Sequence, residues 1–147
     1  MILPQFYTDD IIKRAILEDI NYVDVASDYL ISEEQRNEAY FVSKADGVLC
    51  GIDVAMRVFE LLDDSFTAKV YMHDGDKVKK GDLIAEFSGK TTLLLKGERT
   101  ALNLLQHMSG IATATAKAVK LCEGTKASIA DTRKTLPSLR ALQKYAV

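Results

Sequence analysis

The stretch "GERTALNLLQHMSGIATATAKAVKLCEG", residues 97–124, decides the fold. Ala101, Leu104, Leu105, Met108, Ile111 and Ala112 recur at helical spacing. The pattern predicts one long helix, or two helices broken near Ser109-Gly110. Ala and Thr dominate its second half and permit close backbone approach to neighbours. Gly124 is a suitable C-terminal stop. Arg99, Asn103 and Gln106 share one face, with Gly110 beyond. Arg99 stands where helix N–H groups and the dipole favour anions. By spacing alone, this polar stripe reads equally as a solvated face or a local Glu98–Arg99 pairing. His107 reads as packing or capping rather than as a base. His73 precedes a turn and is expected to be exposed.

Downstream, "KASIAD" (126–131) reads as a short buried strand. "DTRKT" (131–135) would then leave its C-terminal end, the end that carries ligands in α/β sheets and barrels. Arg133 offers a planar fork that grips a carboxylate or phosphate through two hydrogen bonds. Lys134 offers a point charge, and Thr132 and Thr135 add hydroxyls. The competing reading is an ordinary polar loop. Pro137 suits the first turn of a last helix, with Leu139, Leu142 and Ala146 on one face.

Upstream, "TDDIIKRAILEDI" (8–20) predicts a helix capped by Thr8 or Asp9, with Ile11, Ile12, Ala15 and Ile16 as its apolar face. "NYVDVASDYLIS" (21–32) follows as a polar connection. "QRNEAYFVSKADGVLCG" (35–51) predicts a hairpin: a strand near 37–44, a turn at 45–47 and a short strand at 48–50. "IDVAMRVFELLDD" (52–64) is a helix with Val54, Val58, Leu61 and Leu62 on one side. Residues 65–97 are expected to be β-rich. Phe66, Ala68, Val70 and Met72 alternate with polar residues, and Gly75 and Gly81 occupy turns. "HDGDKVKKGDLIAEFSG" (73–89) resembles the hammerhead hairpin of biotinyl and lipoyl carrier domains. It lacks the exposed lysine tip that a carrier needs, so a plain hairpin is preferred.

A length of 147 residues fits one average domain or two small ones. A net charge of −2 and the lack of basic runs give no sign of a nucleic-acid partner. Cys50 and Cys122 are isolated in apolar contexts, as in reduced thiols of a cytoplasmic protein. Two Cys and two His at scattered positions make no metal-ligand spacing, so no metal ligand is assigned. The N-terminus has no signal-peptide pattern. No apolar run approaches the ~20 residues of a membrane span.

Taken together, "GERTALNLLQHMSGIATATA" and "DTRKTLPSLRALQKYAV" resemble quinolinate phosphoribosyltransferase, the decarboxylating enzyme also called nicotinate-nucleotide pyrophosphorylase. "DVASDYLI" (24–31) and "GVLCGIDVAMRVF" (47–59) match the family's N-terminal domain in character and order. The resemblance implies an α+β chain. Residues 1–96 would form an α/β sandwich domain with an antiparallel sheet. Residues 97–147 would form the first helix–strand–helix segment of a truncated α/β barrel. It implies a pentosyltransferase of NAD biosynthesis. Quinolinate and phosphoribosyl pyrophosphate would give nicotinate mononucleotide, pyrophosphate and carbon dioxide, with Mg2+ required. It implies substrate-binding roles for Arg99, Thr132, Arg133 and Lys134, with Lys134 also catalytic. Arg99 would reach into the partner's site of a homodimer. One departure is visible: the family usually reads "DTRKTTPGLR", and here Leu136 and Ser138 replace Thr and Gly.

A full barrel takes about 250 residues and a βα unit about 30, so residues 97–147 cannot close one. The family's later motifs, including its carboxylates for magnesium and sugar, have no counterpart. The sequence is therefore expected to be a fragment with weak or absent turnover, prone to associate or to disorder near its C-terminus. The molybdenum-transport-associated homologue of the same fold and a non-catalytic interaction module are the alternatives.

Overall fold

The computed structural model describes residues 3–20 and 24–147. Five helices and five strands follow in order: α1 (Gln5–Ile20), α2 (Val25–Leu30), β1 (Arg36–Val42), β2 (Gly47–Val48), α3 (Ile52–Leu62), β3 (Thr67–Val70), β4 (Lys77–Val78), β5 (Leu83–Lys90), α4 (Thr91–Cys122) and α5 (Arg140–Tyr145). An antiparallel sheet runs β1-β5-β3, and β2 pairs with β4 in a second, two-stranded sheet. This is the expected mixture of helices with an antiparallel sheet.

The core forms where α3 lies on the sheet. Phe59 of α3 stacks on Phe87 of β5 at 5.0 Å and on Phe66 at 5.4 Å, and Phe41 of β1 meets Phe87 edge-on at 4.9 Å. Such offset and edge contacts suit aromatic quadrupoles. Ile52, Val54, Ala55, Met56 and Val58 complete the buried face of α3. Helix α4 packs over α3 through Ala101, Leu104, Leu105 and Met108. Gly97 permits that approach, since a Cβ there would lie 2.9 Å from the Phe59 ring. Ile11 and Ile12 of α1 join the same core, and Arg57 grips Asp9 with two hydrogen bonds of 2.8 and 2.9 Å.

Several local expectations change. Helix α1 starts at Gln5, so Thr8 and Asp9 lie inside it rather than at its cap; Thr8 instead bonds the Gln5 carbonyl. Helix α2 occupies part of the stretch expected as a connection, while residues 21–23 lie outside the described residues. The predicted 37–50 hairpin does not form. Strand β1 pairs with β5 and β2 with β4, because Phe41 faces the core only alongside Ala85 and Phe87. Ala68 is exposed, while Phe66, Val70 and Met72 are half-buried. "TTLLLKG" (91–97), expected to be β-rich, opens α4 instead. The ladder ends at the pair Arg36–Lys90, and beyond it the apolar run has no partner strand. Helix α4 is continuous through Ser109-Gly110 and crosses residue 97 unbroken.

Residues 126–131 form no strand and are exposed. A strand needs a neighbouring ladder, and among the described residues none runs beside them. Pro137 sits in a turn before α5, not in its first turn.

The C-terminal helix nevertheless docks firmly. Leu142 and Ala146 are buried. The Tyr145 hydroxyl donates to Asp74 Oδ2 at 2.9 Å, and Asp74 Oδ1 accepts the N–H groups of Gly51 and Ile52 at 2.8 and 3.0 Å. Burial pushes the Cys50 thiol up to about 12, and the nearby Asp74 charge adds to it. Burial, and then the Asp74 hydrogen bond, hold the Tyr145 phenol above its ordinary range.

Both groups keep their protons when folded at a pH where the unfolded chain has released them. The stability they contribute is whole below their unfolded values, about 8.5 for a thiol and about 10 for a phenol. It is lost as pH rises through the folded values. The melting temperature should therefore fall from about pH 9 upward. The double variant Cys50→Ala, Tyr145→Phe should melt lower at pH 7 but show a flatter alkaline limb. Parallel alkaline limbs for the two proteins would contradict this assignment.

Candidate functional site

The "DTRKT" loop is held by one face of α5. Arg140, Gln143 and Lys144 stand at i, i+3 and i+4, which places them together. Arg140 Nε donates to Thr135 Oγ1 at 3.1 Å. Gln143 Oε1 accepts the Leu136 N–H at 2.9 Å. Lys144 Nζ pairs with Asp131 at 3.0 Å. Inside the loop, Thr132 Oγ1 accepts the Lys134 N–H at 3.2 Å, leaving its hydroxyl proton free to donate outward.

Asp131, Thr132, Lys134, Thr135, Gln143 and Lys144 line a cavity of about 210 Å3. Thr132, Arg133 and Lys134 are exposed. Among the described residues, neither Arg133 nor Lys134 has a carboxylate partner in an ion pair. Arg133 and Lys134, a Thr132 hydroxyl and the Lys144–Asp131 pair sit together, residue types whose N–H and O–H groups can donate to an anion. Thr132 and Lys134 thus share a cavity, with Arg133 between them in sequence.

Arg99 is not part of this group. Its side chain is 72% exposed and lies 3.4 Å from Asp19 Oδ2, an oxygen that receives no aligned hydrogen bond. Ile111, which lines the loop's cavity, stands twelve residues further along α4, about 18 Å at helical rise. Within one chain, Arg99 and Lys134 therefore serve different surfaces. The polar stripe of Arg99, Asn103 and Gln106 is exposed, as its solvated-face reading expected. His107 is half-buried, and its Nε2 lies 2.9 Å from Gln143 Nε2. His73 is exposed.

The sequence reading missed Arg140, Gln143 and Lys144. Their i, i+3, i+4 spacing was the available signal, but it has meaning only once the loop folds back on α5.

Among the described residues, no group of three or more His, Cys, Asp or Glu could hold a metal ion. Asp131, the carboxylate at the loop, is occupied by Lys144. No helix of the described residues is long and apolar enough to cross a membrane.

The described residues thus combine an antiparallel sheet packed against α3 with a long helix, α4, that leads to an exposed cationic loop. Residues 24–109 match the family profile described as quinolinate phosphoribosyl transferase, N-terminal domain, and residues 111–147 match that of its C-terminal domain. The chain belongs to the quinolinate phosphoribosyl transferase family.

It is 42% identical over 137 residues to the probable nicotinate-nucleotide pyrophosphorylase [carboxylating] of Bacillus subtilis (strain 168), covering 93% of this chain and 47% of that protein. It is 42% identical over 144 residues to the nicotinate-nucleotide pyrophosphorylase [carboxylating] of Mycobacterium leprae (strain TN), covering 94% and 50%. Its structure matches that of NadC from Streptococcus pyogenes with a TM-score of 0.95 at 38% identity, over 99% of this chain and 52% of that one. The chain spans about half the length of the relatives it matches.

The family's glycine position falls at a telling place. Leu139 N–H bonds the Leu136 carbonyl at 3.2 Å, closing a turn with Pro137 second and Ser138 third. Ser138 has φ +66°, the one non-glycine residue at positive φ among those described. That is the type II pattern, whose third position favours glycine. A side chain in this region costs about 1–2 kcal/mol, partly offset because glycine loses more freedom on folding. Ser138→Gly should raise the melting temperature by about 2–4 °C, measured by calorimetry. A decrease would show that the serine is not strained.

Proposed function

We propose that this chain supplies the quinolinate-gripping part of a phosphoribosyltransferase. In the reaction, the pyridine nitrogen of quinolinate attacks the ribosyl carbon of phosphoribosyl pyrophosphate. The carbon–oxygen bond to pyrophosphate breaks and pyrophosphate leaves with its electron pair; the carboxylate beside the ring nitrogen departs as carbon dioxide, the ring carbon takes up a proton from water in its place, and nicotinate mononucleotide remains. The observation that carries the reading is the pair Arg133–Lys134, exposed and without a carboxylate partner among the described residues, on a loop braced by three side chains of α5.

Quinolinate is a dicarboxylate, so it needs cations held in fixed orientation. Arg133 would fork onto one carboxylate, and Lys134 would bind the other and steady the charge that moves during transfer. Thr132 would add a hydroxyl donor. Protein catalysis here amounts to positioning and charge stabilisation. Magnesium, which the family's reaction needs, would neutralise the pyrophosphate charge and would be held by ligands other than a cluster within the described residues. Turnover by this chain alone is expected to be weak or absent.

Arg99 would serve the site of a second copy in a homodimer. Its exposure and its distance along α4 from the loop support that reading. So does a groove of about 1040 Å3 that runs between β1 and α4 past Leu95, Leu102 and Leu105. Two free cysteines suit a reducing, cytoplasmic setting.

Isothermal titration with quinolinate tests the grip. Losing one charge-assisted contact should weaken binding at least about tenfold, so Arg133→Ala and Lys134→Ala should each lower affinity by that much. Sedimentation should give a dimer or larger species. No binding by the unaltered chain would leave the non-catalytic interaction module as the better reading.

A further inference from the structure

Gln143 faces two ways. Its Oε1 accepts the backbone N–H of Leu136, the residue that directly follows "DTRKT", at 2.9 Å. Its Nε2 lies 2.9 Å from Nε2 of His107 on α4. Both side chains are half-buried, and Leu136 itself is exposed. A backbone N–H can only donate, so the amide oxygen must face Leu136 and the amide NH2 must face the ring. The ring nitrogen must then be the acceptor. That fixes the His107 lone pair on Nε2 and its proton on Nδ1. A half-turn of the amide would set NH2 against the Leu136 N–H and oxygen against the ring lone pair, losing both bonds at once.

We propose that Gln143 is a positioning residue for the anion-binding loop, orienting it through a relay from His107 to the Leu136 main chain. The proposal rests on the loop's being the quinolinate grip, and its test separates the two. The relay joins α4 to the main chain beside the loop. Helix α4 is seated in the core by Ala101, Leu104, Leu105 and Met108. The loop from 126 to 134 is exposed throughout and has no strand partner among the described residues. Gln143 carries the rigidity of α4 across to the main chain two residues after Lys134. Arg140 and Lys144 flank it but end on loop side chains, Thr135 and Asp131, and not on the loop's main chain.

The test uses the 147-residue chain and two variants. Gln143→Met removes both bonds while keeping side-chain length and helix propensity. Gln143→Glu keeps an oxygen for Leu136 and presents a second acceptor to the ring. In the unaltered chain, nitrogen NMR of His107 should show the proton on Nδ1. Gln143→Met should speed Leu136 amide exchange and weaken quinolinate binding, each by about fivefold, the worth of one hydrogen bond. Gln143→Glu should restore both, with a proton now drawn onto His107 Nε2 in the same spectrum.

The His107 proton reports the Gln143–His107 contact, and a merely structural role would leave quinolinate affinity unchanged in both variants. Unchanged Leu136 exchange in Gln143→Met, or a His107 proton on Nε2 in the unaltered chain, would overturn the relay. So would quinolinate affinity that survives Gln143→Met yet is lost in Arg133→Ala. Should the unaltered chain not bind quinolinate, the functional reading fails, while Leu136 exchange and the His107 tautomer still decide the relay.

Discussion

The Asp74 carboxylate joins the three regions that make this chain one body. Gly51 precedes α3 in the left-handed conformation, with φ +95°, and offers no side chain to cap the helix. It cannot be exchanged for a capping serine, because a Cβ there would lie 2.6 Å from Met108 Sδ of α4. The N-terminal N–H groups of a helix need acceptors from elsewhere. Asp74 provides one from the turn before β4, accepting from Gly51 and Ile52 with one oxygen and from Tyr145 with the other. A cap made across the fold, and not within the local sequence, ties the sheet turn, the central helix and the last helix together.

The opposite end of α3 follows the same logic. Asp63 terminates the helix and is buried. Burial alone would push its carboxyl up, but the Ser65 hydroxyl and the N–H groups of Lys90 and Ser65 outweigh that and hold it below its usual range. Lys90 is the last residue of β5, where the sheet hands over to α4. A Cβ at Gly89 would lie 2.9 Å from Asp63 Oδ2, so the glycine lets the carboxylate in. Helix α3 is thus fixed at both ends by carboxylates bonded to residues more than twenty positions away, and α4 takes its direction from the second of them. Strand β2 and the two residues after it are then stitched to α4: Ser109 accepts the Cys50 N–H at 3.0 Å and Thr113 the Val48 N–H at 2.9 Å.

This explains which elements were legible in the sequence. Helices α1, α3 and α4 declare themselves through a 3.6-residue apolar period that depends on little besides local order. Pairings do not. Alternation says which face of β1 is buried, but the choice of β5 over the adjacent β2 is made by the Phe41–Phe87–Phe59 cluster. The run Leu93-Leu94-Leu95 fits strand or helix equally, and the end of the Arg36–Lys90 ladder decides it. "KASIAD" has the residues of a buried strand, but burial is supplied by neighbours, and sequence pattern cannot count them.

The candidate site divides along the same line. Arg133 and Lys134 were legible because their value lies in residue chemistry: a fork and a point charge serve anions wherever a loop exposes them. Their orientation was not legible, since it comes from α5, a helix of six residues that could not stand alone. Buried Leu142 and Ala146 and the Tyr145–Asp74 bond anchor that helix, and only then can Arg140, Gln143 and Lys144 act as a brace. Ligand binding by exposed long side chains costs conformational freedom, and a loop already braced has less to lose. From the carboxylate that caps α3, a chain of contacts thus runs to Tyr145, along α5 to Gln143, and into the Leu136 N–H two residues after Lys134.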